Sequence, residues 1–309
     1  MEFFDRLSHW LAPAPPLARE LESAIDHAVE APQLKVLSDY RRQLAPAVER
    51  ALDYCADLVG AIPGPHAIGP AQFAADPLIH AFFGSSETIA TTLARSEGVR
   101  AFLKDTPGGL EDICYGLLGM RSHQKSVMGS AMMGDVIRHD VPQTLLYFSD
   151  HTVSSLAADL DSVRRQLRQT AFDSLLRQFG RQLSAMRERR DAMTTALSTR
   201  RGTPDAGEIE QDLERLRRQL APESQLVALA RWLAAPEQAL YLKQVPRMMD
   251  RMGVLLPPES APSNGERIVF PELAGRDRRR WTVLLVGISR AQALAAVARE
   301  ERAHRYIVI

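Results

Sequence analysis

The feature that most constrains this chain is a run from Leu156 to Arg200 that contains no proline and one glycine, Gly180. Apolar residues recur along it at steps of three and four residues, with Arg190 in one position of the series. The second half of the series is Phe172, Leu176, Phe179, Leu183, Met186, Met193 and Leu197. This heptad pattern, with a local stutter, predicts a continuous helix about 65 Å long. One small domain does not need such a helix, so the pattern indicates a coiled-coil-like arm.

A return helix is predicted directly after this run. Residues 200–207 read RRGTPDAG and are rich in helix breakers. Beyond them, Ile209, Leu213, Leu216 and Leu220 restore the spacing of four, three and four residues. We therefore predict a long antiparallel helical hairpin over residues 156–235. Two helices alone leave a narrow apolar seam, whose flanks need a body, another hairpin or a second chain to cover them.

The remaining segments predict an α+β protein that is mostly α. Residues 1–110 read as a helical N-terminal body, interrupted by proline and glycine. Within it we predict a short amphipathic helix in residues 1–16 and a helix start at Asp76-Pro77. Residues 111–155 contain short, partly alternating apolar stretches, which predict a small antiparallel β-meander of three or four strands. Residues 236–309 read as a short C-terminal α/β segment, with strands over 266–271 and 280–288 and a terminal strand at 306–309. The second strand contains WTVLLVGI, which is apolar on both faces and therefore predicts a central buried strand. We leave open whether the strands of this segment complete the sheet of residues 111–155.

Composition restricts the class of protein. The 309 residues suffice for about two domains, and no apolar stretch approaches the length of a transmembrane helix. The N-terminus, MEFFDRLSHWLAP, lacks the basic start and apolar run of a secretory signal. Cys55 and Cys114 lie far apart and form neither a metal-binding pair nor a disulfide framework. We expect buried free thiols, a cytoplasmic location and no association with membranes.

The densest polar cluster lies around the end of the predicted meander. It comprises Asp135, Arg138, His139, Asp140, Asp150 and His151. If residues 134–140 pair with residues 146–152, two imidazoles and two carboxylates come together. Such groups can bind a divalent metal or act in acid–base catalysis. The His139-Asp140 doublet is similar to that of helical metal-dependent phosphohydrolases, but here it follows strand-like sequence, and polar residues at strand ends are the alternative interpretation.

Arginine is unevenly distributed along the chain. The net charge is zero overall, but it is −7 over residues 1–155 and +7 over residues 156–309. Two clusters lie on the predicted long helix: Arg164, Arg165 and Arg168, and Arg187, Arg189 and Arg190. Clustered arginines could bind the phosphates of a nucleic acid, but the solvated flank of a coiled coil has the same pattern. We retain these six residues as candidate binding residues.

Motifs specific to one chemistry are missing from the sequence. It contains no phosphate-binding loop, dinucleotide fingerprint, nucleophile elbow, H-E-x-x-H or C-x-x-C. Because active sites can assemble from distant residues, an enzyme is disfavoured but not excluded. The leading hypothesis is a non-enzymatic interaction or scaffold protein, whose hairpin binds a second copy or another protein, with no cofactor. The alternatives are a metal-dependent hydrolase using the cluster at residues 135–151 and, with less weight, nucleic-acid backbone binding through the arginines.

Overall fold

The computed structural model describes residues 16–28, 40–106, 112–133, 136–199, 206–258, 265–276 and 279–306. The chain divides into two compact units. The first, which we call the helical unit, comprises residues 1–57 and 168–239. The second, the sheet unit, comprises residues 58–167 and 240–309. This division cuts across the predicted segments, because residues 1–110 and the predicted hairpin each contribute to both units.

The elements are numbered in chain order. The described helices are α1 (Pro16–Ala28), α2 (Tyr40–Gly60), α3 (Pro70–Ala75), α4 (Pro77–Phe82), α5 (Ser86–Arg95), α6 (Glu97–Asp105), α7 (Leu160–Thr199), α8 (Ala206–Gln219), α9 (Pro222–Ala234) and α10 (Arg290–Tyr306). The described strands are β1 (His66–Ile68), β2 (Ile113–Met133), β3 (Val136–Ala157), β4 (Leu240–Met249), β5 (Leu255–Leu256), β6 (Glu266–Gly275) and β7 (Arg280–Ser289).

The helical unit is built around the predicted long helix. Its core is formed by buried apolar residues of α1, α2, α7, α8 and α9. The indole of Trp232 on α9 donates a 3.0 Å hydrogen bond to the carbonyl oxygen of Leu175. Gly180, the one glycine of the run, lies where the end of α1 meets α7. A Cβ atom there would lie 3.1 Å from the carbonyl oxygen of His27, so the close approach of the two backbones favours glycine.

The sheet unit corrects the predicted fold class. The described residues are 59% helix and 30% strand, and the strands form one seven-stranded sheet. A mixed α+β class fits, but "mostly α with a small antiparallel sheet" is wrong. The strand order is β3-β2-β7-β6-β4-β5, with neighbours antiparallel, and β1 pairs in parallel with β7. The two strand regions of the sequence therefore belong to one sheet.

The predicted meander is instead one long hairpin of β2 and β3. Polar residues 122–125, which interrupt the apolar stretches, do not form a turn between strands: they lie within β2 and pair with residues 145–148. Strand β3 likewise continues through Pro142. The prediction failed because this part of the hairpin carries polar side chains on exposed strands, where apolar alternation is lost. Leu156 and Ala157, placed on the long helix, are the last residues of β3.

Both faces of the sheet carry apolar cores. On one face, Leu118, Leu284 and Val286 belong to a cluster with residues of α4, α5, α6 and α10. On the other, Val283 and Leu285 pack with the last residues of α2 and the first turns of α7, including Val163. Strand β7 is buried without interruption from Thr282 to Ile288. This confirms the prediction that the stretch WTVLLVGI forms a central strand.

Other local predictions had mixed outcomes. The helix start at Asp76-Pro77 is confirmed, because the Asp76 carboxylate accepts a 2.9 Å hydrogen bond from the amide of Leu78. Strands β1 and β4 were missed: β1 lies in a proline- and glycine-rich segment, and β4 contains Pro246. Tyr306 ends α10 and does not begin a strand. The predicted N-terminal helix within residues 1–16 falls almost wholly outside the described residues, as do residues 307–309.

Candidate interaction surface

The predicted seam along α7 changes character partway along the helix. Phe172, Leu176, Phe179 and Leu183 are buried in the helical unit. Further along, at Met186, Met193 and Leu197, the same heptad positions are only half-buried. On α8, Leu213 and Leu216 are buried. The apolar series therefore continues past the part of α7 that the helical unit covers completely.

A cleft of about 220 Å³ lies between the distal part of α7 and α8. Its lining comprises Arg189, Met193, Asp212, Arg215, Leu216 and Gln219. Arg215, which is exposed, forms an ion pair at 3.0 Å with the half-buried Asp212. Because residues from both helices line one cleft, α8 returns along the end of α7. The cleft combines apolar contacts from Met193 and Leu216 with two guanidinium groups.

The predicted pairing of residues 134–140 with residues 146–152 does not form. In the β2–β3 register, Arg138 lies opposite Ala131, whereas Ser149 lies opposite Arg121. Asp140 and Asp150 are ten residues apart on one strand, which corresponds to about 33 Å at the rise of a β-strand. The two His–Asp doublets are therefore not brought together. Asp135 lies outside the described residues.

Each doublet instead marks a β-bulge in β3. The register shifts between Gly129 and Ala131 and between Gly119 and Arg121, and each shift leaves an extra residue on β3. Asp140 and Asp150 have φ angles of 60° and 55° at these bulges. Aspartate tolerates this left-handed conformation better than most non-glycine residues. The first doublet is exposed and bonded locally, with the Nδ1 of His139 lying 2.9 Å from the hydroxyl of Ser130.

His151 has a structural environment that the sequence did not reveal. Its Nε2 donates a 2.8 Å hydrogen bond to the carbonyl oxygen of Phe82, at the end of α4. Its ring stacks on Phe83, with centroids 4.8 Å apart. Burial lowers the pKa of His151, although the bond to Phe82 and the charge of Asp150 act in the opposite direction. The imidazole therefore joins a strand to a helix end in its neutral form.

This environment predicts that acid destabilises the sheet unit. The folded-state pKa of His151 lies below the unfolded value of about 6.5, so the unfolded chain binds the proton more tightly. The contribution of His151 is fully present above the unfolded pKa and is lost as the pH falls below it. We expect His151→Asn to lower the free energy of unfolding at pH 7.5 and to lower it less at pH 5.5. Denaturant titrations at both pH values measure this difference, with His139→Asn as the exposed control. If His151→Asn lowers the free energy of unfolding equally at both pH values, the pKa of His151 is not lowered by folding.

The candidate arginines occupy several different environments. Arg164 lies 3.7 Å from Asp161, and Arg165 donates a 2.7 Å hydrogen bond to Ser162 near the start of α7. Arg190 lies 2.7 Å from Asp191. Arg168 is exposed, Arg187 is half-buried, and Arg189 lines the cleft. Arg168 and Arg187 are separated by about 28 Å along the helix axis. Of the six, only Arg189 contributes to the cleft.

The remaining reactive groups have ordinary environments. Cys55 and Cys114 are free and buried, as predicted. Burial raises the pKa of Cys55 to about 12 and also raises that of Cys114, which disfavours both thiolates. Among the described residues, no three His, Cys, Asp or Glu side chains are grouped so that they could hold a metal ion. Within the same residues, no helix carries an apolar stretch long enough to cross a membrane.

Sequence reasoning also missed an exposed β-ribbon, which consists of residues 121–133 of β2 and residues 136–149 of β3. Three large apolar side chains on it are exposed: Met128 (63%), Ile137 (59%) and Tyr147 (43%). A signal was present, because successive strand-like segments over residues 113–153 also suit a hairpin that extends beyond its sheet. The polar residues 122–125 and Pro142 favoured a division into separate short strands instead.

Comparison with protein-family models, with curated proteins and with solved structures finds no match to this chain.

Proposed function

We propose that this chain is a non-enzymatic interaction protein of the cytoplasm, and that the distal part of α7 with α8 is its contact surface. The observation that carries the proposal is the half-buried apolar series of Met186, Met193 and Leu197 beside the α7–α8 cleft. Two helices cannot cover both flanks of their own seam. A partner helix laid along the seam would bury the exposed part of these side chains.

The charge around the cleft indicates which partner it suits. Arg189 and Arg215 border the apolar contacts of Met193 and Leu216, whereas Asp212 is the one carboxylate in the lining. The cleft therefore fits an apolar side chain flanked by acidic residues, since guanidinium groups pair well with carboxylates. Either a second copy of the chain or another protein could supply such a helix. The two buried free thiols support a reducing compartment.

The alternatives lack comparable support. The metal-dependent hydrolase required the two His–Asp doublets to meet, but the doublets mark separate bulges of β3. Phosphate-backbone binding required grouped arginines that are available to a ligand, but Arg164 and Arg190 lie beside carboxylates of their own helix. We therefore do not propose either function.

Site-specific photo-crosslinking tests the proposal. A benzophenone side chain at position 193 should capture a defined product in cells, because Met193 lies in the cleft. The matched control is position 195, an exposed residue about 200° away around the same helix. Arg189→Glu should abolish the product by repelling an acidic partner. Arg217→Glu, an equal charge change on α8 outside the cleft lining, should retain it.

The outcomes separate the possibilities. A product of twice the chain mass identifies self-association, and a product of another mass identifies a different protein. Equal labelling at positions 193 and 195, or a product that Arg189→Glu leaves unchanged, would show that contact with the cleft is not specific. Either result would overturn the proposal.

A further inference from the structure

The β-ribbon has one strand edge that no described residue covers. Strand β2 pairs with β7 only as far as Met120, opposite Thr282. Beyond that point the described pairing of β2 is with β3 alone. An isolated two-stranded ribbon is at best marginally stable in water. A further strand paired with the outer edge of β2 would therefore stabilise the ribbon.

The direction of the backbone groups on this edge follows from one hydrogen bond. The amide of Leu146 on β3 donates to the carbonyl oxygen of Gly253, away from β2. Leu146 lies opposite Gln124, and the register is regular from Arg121 to Gly129. In an antiparallel pair, residues opposite each other both point inward or both point outward. The N–H and C=O groups of Gln124, Ser126 and Met128 therefore point outward from β2.

The opposite edge of the ribbon is blocked. The outward positions of β3 are Leu146, whose amide is bonded to Gly253, then Thr144, and then Pro142, which has no N–H. The bulge at Asp140 follows. Proline, bulges and covering segments are the devices by which proteins prevent pairing at sheet edges. One edge of the ribbon is open and the other is closed.

We infer that the open edge pairs with the same edge of a second copy of the chain, forming an antiparallel four-stranded sheet β3-β2-β2-β3 across a two-fold axis. A second copy is the occupant because it supplies a matching open β2 edge, and the blocked β3 edges leave β2 with β2 as the pairing between two copies. Pairing of β2 with β2 uses the open edge of both copies, so assembly stops at a dimer and does not continue into a fibre. When Gln124, Ser126 and Met128 of the two copies pair, their N–H and C=O groups form about six backbone hydrogen bonds across the axis.

The charge pattern allows such pairing. A two-fold axis through Lys125 would place two ammonium groups directly opposite each other, which is unfavourable. An axis through Ser126 pairs Gln124 with Met128 of the partner and places Lys125 opposite the uncharged Val127. The same register brings the exposed Met128 side chain next to the partner strand. This inference concerns the sheet unit and is independent of the proposed hairpin function.

Paired proline substitutions test the inference. Ser126 and Thr144 lie directly opposite each other, and both amides point outward, on the open and the blocked edge respectively. Pro142 shows that an outward position of this ribbon accepts proline. By light scattering, the wild-type chain should be a dimer of about 69 kDa, twice the 34.3 kDa of one chain. Ser126→Pro should weaken dimerisation about tenfold or more, whereas Thr144→Pro should leave it unchanged.

Amide hydrogen exchange on the unmodified chain provides a second measurement that does not depend on the variants folding. The amides of Gln124, Ser126 and Met128 should be protected at high protein concentration and should exchange faster on dilution. A wild-type monomer at 200 µM in the assay would overturn the inference, and so would equal dissociation by both proline variants. A dimer that resists Ser126→Pro but is dissociated by Met193→Glu would place self-association on the hairpin instead.

Discussion

Gly64→Ala is expected to destabilise the sheet unit by about 2–5 kcal/mol, because it combines backbone strain with a clash. Gly64 has a φ angle of 116°, which L side chains rarely adopt. A Cβ atom there would lie 2.3 Å from the carbonyl oxygen of Leu285, in the central strand β7. The same loop is fixed to β7 by a 2.9 Å hydrogen bond from the amide of Leu285 to the carbonyl oxygen of Pro63. Neither backbone can move away without disturbing this strand.

Denaturant unfolding monitored by circular dichroism measures this loss. The matched control is Gly60→Ala, four residues earlier at the end of α2, where nothing lies within 4 Å of an added Cβ atom. We expect the control to change stability by less than about 0.5 kcal/mol. If the two alanine variants are equally stable, then the approach of the Gly64 loop to β7 is not as close as the structure indicates.

The parts of the fold that sequence reasoning predicted are those with a strong local pattern. The heptad series predicted α7, and the wholly apolar stretch WTVLLVGI predicted the central strand β7. Asp76-Pro77 predicted the start of α4. In each case local propensity and tertiary burial favour the same structure.

The parts that could not be predicted depend on partners distant in the sequence. Strand β1 is three residues long and exists because it pairs in parallel with β7, more than 200 residues later. The length of β2 and β3 is determined by their pairing with each other, since apolar alternation fades where the ribbon leaves the sheet. The size of the sheet therefore could not be predicted from the separate strands. Because the strand content was underestimated, the predicted class "mostly α" was wrong.

The candidate sites also divide into features that have a local sequence pattern and features that depend on distant residues. The apolar seam of α7 was visible from periodicity, and the structure adds the cleft beside Met193 and Leu216. The His–Asp doublets were visible as composition, but their chemical meaning depended on a strand register that the sequence does not specify. The polar groups that drew attention to residues 135–151 mark places where β3 bulges. A bulge residue and a metal ligand can have the same identity, and only the pairing distinguishes them.

Phe82→Ala is expected to have the second large effect, lowering the free energy of unfolding of the sheet unit by about 3–5 kcal/mol. Phe82 is 1% exposed at the end of α4. Its ring meets Phe148 edge-on at 5.0 Å and Phe270 at 5.7 Å, and the last two rings are 5.3 Å apart. These three aromatics join a helix to β3 and β6. Truncation leaves a cavity between elements that other buried side chains hold in place, so the site cannot readily collapse.

Two further variants test this explanation. Phe82→Leu retains much of the buried volume and should cost less than half as much as Phe82→Ala, because the penalty grows with the size of the cavity. Tyr147→Ala removes a neighbouring aromatic side chain that is 43% exposed, and it should cost about 1 kcal/mol or less. The expected order of stability is therefore Tyr147→Ala, Phe82→Leu and Phe82→Ala, from the mildest to the most severe. If Phe82→Ala and Tyr147→Ala are equally mild, α4 does not pack on the sheet through this aromatic cluster, and its attachment would depend on the hydrogen bond from His151 to the Phe82 carbonyl.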